Sequence, residues 1–404
     1  MNKKLMAVAV AGALAAPAVA FAQASSVQIS GRVVIGMDSY EAKGATAGAT
    51  ADLKSRTRIY DPGSRLVIQG TEPLGQGLTA YFYTETGFNA DNGYNTGQAG
   101  TLNSNAGFFA SRNAWLGIRG NWGALQFGRP NVFFTNGITH FSNLGASWAH
   151  QEPMLLTGIL GRGMGPGVAK QPNTLTYITP VLGGITTWIH YSANGNVFSS
   201  GQETQGANQN TDARLWAASM VGVWGAWAGG LDWVKGWSNT TVGGTQGTSN
   251  AWKGHVGYTY QSGGKIAALY MKSNQHDGGS SLGSSLGPPV AAGLLGLGTN
   301  LSQNGWAVEW SHTLGNVQGM LTWGKINNIS GCTVGANCDN TNATTWQIAA
   351  RYILSKRTWL TAHYDSTTNA ANYNLDYTFS QFNAGPINFG ADPRIVGMGV
   401  THFF

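Results

Sequence analysis

Few residues of this chain are arranged for bond-making chemistry. Cys332 and Cys338 lie six apart in a Gly/Asn-rich stretch. In an exported chain that spacing suits a disulfide closing a small loop, with two free thiols as the alternative. No Walker-type phosphate loop, His-Glu-x-x-His or Cys-x-x-Cys occurs. The glycines of segment 161–167 lack the strand–helix frame that phosphate binding needs. Serines, histidines and aspartates are scattered, so no nucleophile or cofactor site stands out and an enzyme is not expected. What the sequence does offer is positive charge at fixed parity. Around Arg32, the residues Val27, Ile29, Val33, Ile35 and Met37 share one face of an extended chain, and Arg32 falls on the other. Arg65 stands opposite in parity to Leu66 and Ile68, and Arg351 to Trp346, Ile348, Tyr352 and Leu354. Guanidinium groups along a wet surface lower the cost of bringing an anion close.

The elements that must position these arginines are short alternating strands. Tight Gly/Pro/Asn turns occur near 73–77, 120–123, 180–184, 224–226, 261–264, 314–316 and 354–357. They alternate with longer polar connections at about 40–57, 90–106, 130–172, 194–211, 238–250, 275–302, 328–343 and 369–392. Seven short and eight long connections join sixteen strands. The expectation is an all-β fold, a 16-stranded antiparallel transmembrane β-barrel with short turns on one rim and long loops on the other. Composition agrees: only 10% of residues are charged and 59 of 404 are glycine, which suits strands with one face in lipid and one in water. A soluble β-sandwich is the competing fold. Trp115, Trp122, Phe127, Trp224, Trp227, Trp323 and Trp359 sit near strand ends, where they would form interfacial girdles or fill the wall.

Lys3 and Lys4, the apolar run Leu5 to Leu14 and Ala20-Phe21-Ala22 read as a secretory signal over residues 1–22, with cleavage after Ala24 as an alternative. Residues 23–404 would be the barrel domain. Without Lys3 and Lys4 the chain has 21 basic and 17 acidic residues, too weak a charge for nucleic acid. The last strand alternates Val396, Met398, Val400, His402 and Phe404 against Gly397, Gly399 and Thr401. A final aromatic strand of this kind resembles the closing strand of a bacterial outer-membrane barrel, and Phe404 would be its assembly signal.

Several segments together resemble the trimeric general diffusion porins of Gram-negative bacteria, the β-proteobacterial branch in particular. They include Ser26-Val-Gln-Ile-Ser-Gly-Arg32, the run from Gly63 to Gly75, Tyr83-Thr-Glu-Thr-Gly-Phe88, the run from Ser111 to Gly120, Leu125-Gln-Phe-Gly-Arg129, Leu175 to Pro180, Arg351 to Thr358 and Gly399 to Phe404. The resemblance implies an outer-membrane homotrimer, in contact with lipopolysaccharide and membrane lipid. It implies barrel-assembly machinery engaging the last strand, and passive diffusion of small hydrophilic solutes and ions. It also implies a constriction made by Arg32, Arg65 and Arg112, with Glu85 as their partner and the third long loop, 130–172, folded into the lumen. Glu152 is that loop's one acid. A basic wall so weakly opposed implies anion preference. Parity leaves Arg112 undecided, since it aligns with Ala114, Leu116 and Ile118. Arg129 aligns with Leu125 and Phe127, and faces either the lumen or a neighbouring subunit. Arg351 is a secondary lumen candidate. A substrate-selective anion channel, or a surface adhesin or structural barrel with little conductance, is the alternative function.

Overall fold

A computed structural model describes residues 25–91, 109–132, 170–193, 214–242, 245–260, 263–276, 300–332, 338–376 and 387–404. Its strands are β1 (Ser26–Lys43), β2 (Leu53–Tyr60), β3 (Ser64–Gly75), β4 (Leu78–Phe88), β5 (Ala114–Gly120), β6 (Gly123–Arg129), β7 (Thr174–Ile178), β8 (Ile185–Ser192) and β9 (Leu215–Trp224). They continue as β10 (Trp227–Val242), β11 (Thr245–Tyr260), β12 (Gly264–His276), β13 (Asn300–Leu314), β14 (Val317–Ile326), β15 (Ala343–Ile353), β16 (Thr358–Asn369) and β17 (Asp392–Phe403). Each pairs antiparallel with its neighbour in sequence, save that β2 and β3 both pair with β1. β3 runs along Ser26–Arg32 and β2 along Gly36–Ala42, so the two are one stave broken at Asp61-Pro62-Gly63. The barrel therefore has sixteen staves, as the turn count requires. β1 also pairs with β17, from Arg32 opposite Phe403 to Lys43 opposite Asp392, which closes the sheet on itself.

Closure extends one residue beyond β17. Gly31 and Phe404 exchange both backbone hydrogen bonds, each 3.1 Å long. The Phe404 ring lies over Gly31, where an added Cβ would meet Phe404 Cζ at 2.6 Å and Arg65 O at 2.4 Å. Glycine is thus the residue that lets the last aromatic seat against the first strand.

The expected alternation holds around the wall. On β14 and β15, Leu321, Trp323, Ile348 and Tyr352 are exposed, while Met320, Thr322, Gln347 and Ala349 between them are buried. On β10 and β11 the outward Leu231, Trp233 and Trp252 bracket the buried, inward Asp232 and Lys253. A sandwich would put its apolar face inside; here the apolar face is the outer one. Tyr258 with Trp227 and Trp122 with Tyr177 pair in line with the short turns. Trp115 and Trp359 depart from the girdle reading. Trp115 stacks on Tyr83 inside the wall, and Trp359 shares parity with the buried Thr361 and turns inward.

Two connections are shorter than the sequence suggested. β1 and β2 extend through half of 40–57, leaving a connection at 44–52 that holds a short 3₁₀ turn at Ala49–Ala51. The polar stretch 238–250 is strand rather than loop, since β10 runs to Val242 and β11 starts at Thr245. Strands that rise above the hydrocarbon are wetted on both faces, so their sequences lose the alternation that marks them as strands.

Gly31→Val should lower the barrel's unfolding free energy by roughly 1–3 kcal/mol, the usual cost of forcing a side chain into filled space. The measurement is the urea midpoint in lipid vesicles; a midpoint equal to wild type would contradict the seating of Phe404.

Candidate functional site

The broken stave creates the site. At Asp61 the chain turns: its Oδ1 accepts from the Gly63 and Ser64 amides, both at 2.7 Å, and its Oδ2 from the Ala90 amide at 2.7 Å. This buried carboxylate organises the backbone, as aspartate side chains do at turns. Ser64 Oγ accepts from the Val34 amide at 2.9 Å, so a side chain restores the hydrogen bond that the break removes from β1. The Gly63 carbonyl is left to accept from Arg32 Nε at 3.0 Å. Gly63 has φ +133°, and a Cβ there would come within 3.2 Å of Arg32 Nη2.

Arg32 is directly opposite Arg65 in the β1–β3 register. Two guanidinium groups side by side repel, by up to about 4 kcal/mol at close range near a protein surface. Glu85 on β4 offsets this. Its Oε1 takes Arg65 Nη1 at 3.0 Å and Arg112 Nε at 2.8 Å, and its Oε2 takes Asn113 Nδ2 at 2.9 Å. Glu85 is 1% exposed, whereas the two arginine side chains keep 32% and 25% of their surface open. The carboxylate is enclosed and the cationic faces remain accessible.

Arg112 reaches this cluster because the strand alternation breaks just before β5. The Glu85 amide donates to Asn113 O at 2.7 Å, and the Arg112 amide donates to Glu85 O at 3.0 Å. Two residues thus oppose one, a bulge-like step that re-aims side chains. Leu116 and Ile118 stay on the outer face, 60% and 44% exposed, while Arg112 turns in. Arg129 braces the same segment, donating from Nη1 to Ser111 O at 3.1 Å and from Nε to Lys170 O at 3.3 Å. It is tied to the wall that carries Arg112 and does not continue the outward face of Phe127. Gly128 permits this with φ +143°, where a Cβ would lie 2.3 Å from Ala114 O.

Asn131 and Lys170 pair as an isolated bridge, so both ends of the third long connection leave the wall beside Arg112 and Arg129. Desolvation, then the Arg112 charge, push the Lys170 ammonium well below its ordinary value, with Glu85 pulling the other way. Residues 133–169, Glu152 included, lie outside the described residues.

Arg351 is not part of this cluster. Its Nη1 donates to Gln318 Oε1 at 3.2 Å, and its guanidinium sits 4.5 Å from the Trp359 ring centroid. Cys332 and Cys338 are bonded, with Cα atoms 5.9 Å apart. Asp61 and Asn113 are working parts of the site that sequence reading missed. The Asp-Pro-Gly turn signal was legible for the first; nothing in the pattern marked the second.

A closed antiparallel barrel with an apolar exterior and charged groups fixed on its inner wall has the architecture of a membrane-spanning β-barrel. The Gram-negative porin family profile matches residues 7–372, and the chain belongs to that family. An outer membrane porin protein of Bordetella pertussis is 30% identical over 207 residues, covering 48% of this chain and 49% of the relative. Outer membrane porin protein 32 of Delftia acidovorans is 29% identical over 192 residues, covering 48% of this chain and 50% of the relative. The chain thus spans about half the length of the curated relatives it matches. In fold it is similar to the anion-selective porin from Comamonas acidovorans, with TM-score 0.66 and 18% identity over 94% of this chain and 100% of that one. The outer membrane channel DcaP of Acinetobacter baumannii gives TM-score 0.63 and 13% identity, over 95% and 98% of the two chains.

Glu85→Gln keeps an acceptor but removes the charge that gathers Arg65 and Arg112. It should destabilise the barrel by about 2 kcal/mol, the scale of a hydrogen bond to a charged group. A urea midpoint identical to wild type would show that the carboxylate does not hold the cluster.

Proposed function

We propose that this protein is a passive outer-membrane diffusion channel, a porin whose water-filled lumen admits small hydrophilic solutes and ions and prefers anions. The observation that carries this is the convergence of Arg65 and Arg112 on one enclosed carboxylate, with Arg32 beside them. The cluster keeps an excess of fixed positive charge on a polar wall. In a narrow wet passage such charge raises the local anion concentration and repels cations. Sixteen staves are wide enough for an aqueous lumen, where eight would be filled by side chains. The chain does no bond chemistry in this reading: it needs no cofactor or energy source, and solutes move down their own gradients.

The same reading assigns Arg32, Arg65, Arg112 and Glu85 to the wall side of the constriction, with Glu152 on the infolded loop facing them. Residues 1–22 act as the export signal. Phe404 presents the last strand to the barrel-assembly machinery, and the finished barrels associate as homotrimers among outer-membrane lipid and lipopolysaccharide. Membership of the porin family and the porin-like closure of β1 on β17 support this.

Arg65→Ser combined with Arg112→Ser should move the zero-current potential in a KCl gradient toward zero, from a wild-type value of the sign set by chloride. Purified protein in planar bilayers gives this directly. A potential unchanged by the double substitution would remove these arginines from selectivity.

A further inference from the structure

The outer wall repeats one arrangement three times. On the rising strands β10, β12 and β14 an exposed aromatic is followed two residues later by a lysine: Trp233 and Lys235, Tyr270 and Lys272, Trp323 and Lys325. Alternation puts each lysine on the same outward face as its aromatic. Counted from the strand starts Trp227, Gly264 and Val317, the aromatic lies six residues on and the lysine eight. The falling neighbour completes the unit. Each aromatic pairs in register with a tryptophan of the next strand, Trp252, Trp306 and Trp346 in turn, and each lysine with a neutral side chain, Asn250, Asn304 and Thr344.

The three units join into one belt. The Trp252 ring centroid is 5.2 Å from that of Tyr270, and Trp306 is 4.6 Å from Trp323. Trp252 is opposite Lys272 and Trp306 opposite Lys325, so each unit steps two residues toward the short turns, and the turns step with it. Tilted strands need such a stagger to keep a ring level in the membrane. Eight residues of strand set the lysines about 27 Å from the short-turn rim, at the far edge of a transmembrane apolar band. No acid faces them. Among the described residues, the acids of β10–β15 are Asp232 and Glu309, both buried on the inner side, and none of the three lysines makes an ion pair. At the β1–β17 seam, by contrast, Glu41 is opposite Arg394 and Lys43 opposite Asp392, so cations and acids alternate there.

We propose that Lys235, Lys272 and Lys325 form a belt that binds the phosphorylated, net-negative head groups of lipids in the leaflet beside the long loops. This rests on the outer-membrane reading, which sets the aromatic belt at the membrane interface. The lysine stems lie over the rings and the ammonium groups reach the head groups beyond. Asn250 and Asn304 accept at Oδ1 from the amides of Asn274 and Asn327, at 3.0 and 2.6 Å, which leaves their Nδ2 groups as neutral donors beside the lysines. Neighbouring lysines are about 12 Å apart, two strands across and two residues along, so each serves its own head group. The arginine cluster uses other strands and the inner face, so the belt and the constriction are independent.

The test is native mass spectrometry of the full-length protein in nonionic detergent at low salt, offered equal amounts of phosphatidylglycerol and phosphatidylcholine. Wild type should retain phosphatidylglycerol roughly fivefold over phosphatidylcholine, the weight of one lysine at an anionic lipid surface. Lys235→Gln with Lys272→Gln and Lys325→Gln should bring the ratio near one. Lys272→Gln with Lys325→Gln should leave roughly twofold by the same weight, which keeps the test open should the triple variant fold poorly. A wild-type ratio near one, or a ratio unchanged in both variants, would overturn the belt. An unchanged ratio in a triple variant that falls from an assembly to single barrels would overturn it too, and give these residues to a neighbouring copy. Chloride conductance is recorded from the same preparations. A failed lipid ratio with conductance intact leaves the channel reading standing, and a wild type without conductance overturns that reading by itself.

Discussion

The structure depends on one constraint: a backbone amide or carbonyl in hydrocarbon must have its hydrogen bond within the protein. An open sheet leaves two unpaired edges, and no lipid can satisfy them. Closing the sheet removes both. In this chain closure is local and specific. β17 lies along β1, and the final pair is Gly31 with Phe404, where a residue without a side chain accepts an aromatic ring. Once the tube is shut, alternation sets the two faces of the regular strands. Residues of one parity meet lipid, and those of the other meet the lumen.

The charged site follows from two places where that regularity is broken. A strict wall of staves would set Arg32 and Arg65 opposite each other with nothing between them. The Asp61-Pro62-Gly63 break gives Arg32 a carbonyl to hold, and the Asp61 carboxylate secures the turn that supplies it. The step before β5 brings Arg112 and Asn113 onto the same glutamate as Arg65. Glu85 is thus a hub rather than one half of a pair. It neutralises part of the local charge and leaves the remainder facing the lumen. Its anchors are backbone groups and one enclosed carboxylate.

Much of this was legible in the sequence, for a physical reason. Alternation with period two belongs to each strand alone, so Val27 to Met37, Trp346 to Leu354 and Val396 to Phe404 revealed their outward faces without knowledge of the fold. The same parity sent Arg32, Arg65 and Arg351 inward. Reading failed where the chain departs from the repeat. Arg112 follows a bulge-like step that shifts its parity, and Arg129 follows Gly128, whose positive φ re-aims the strand; period counting sees neither. The stave shared by β2 and β3 reads as a loop and a strand because its upper part, with Lys54, Arg56 and Arg58, is polar on both faces. Stretch 238–250 misled for the same reason. Cross-strand partners such as Asn113 to Glu85 depend on register, which a single strand does not encode.

The central claim is that the closed wall encloses water. It is tested most directly by single-channel recording of the purified protein in symmetrical KCl. The account predicts discrete conductance steps that rise nearly in proportion to the conductivity of the bath at high salt. Protein that inserts as a β-barrel by circular dichroism, yet gives no steps at any KCl concentration, would contradict it.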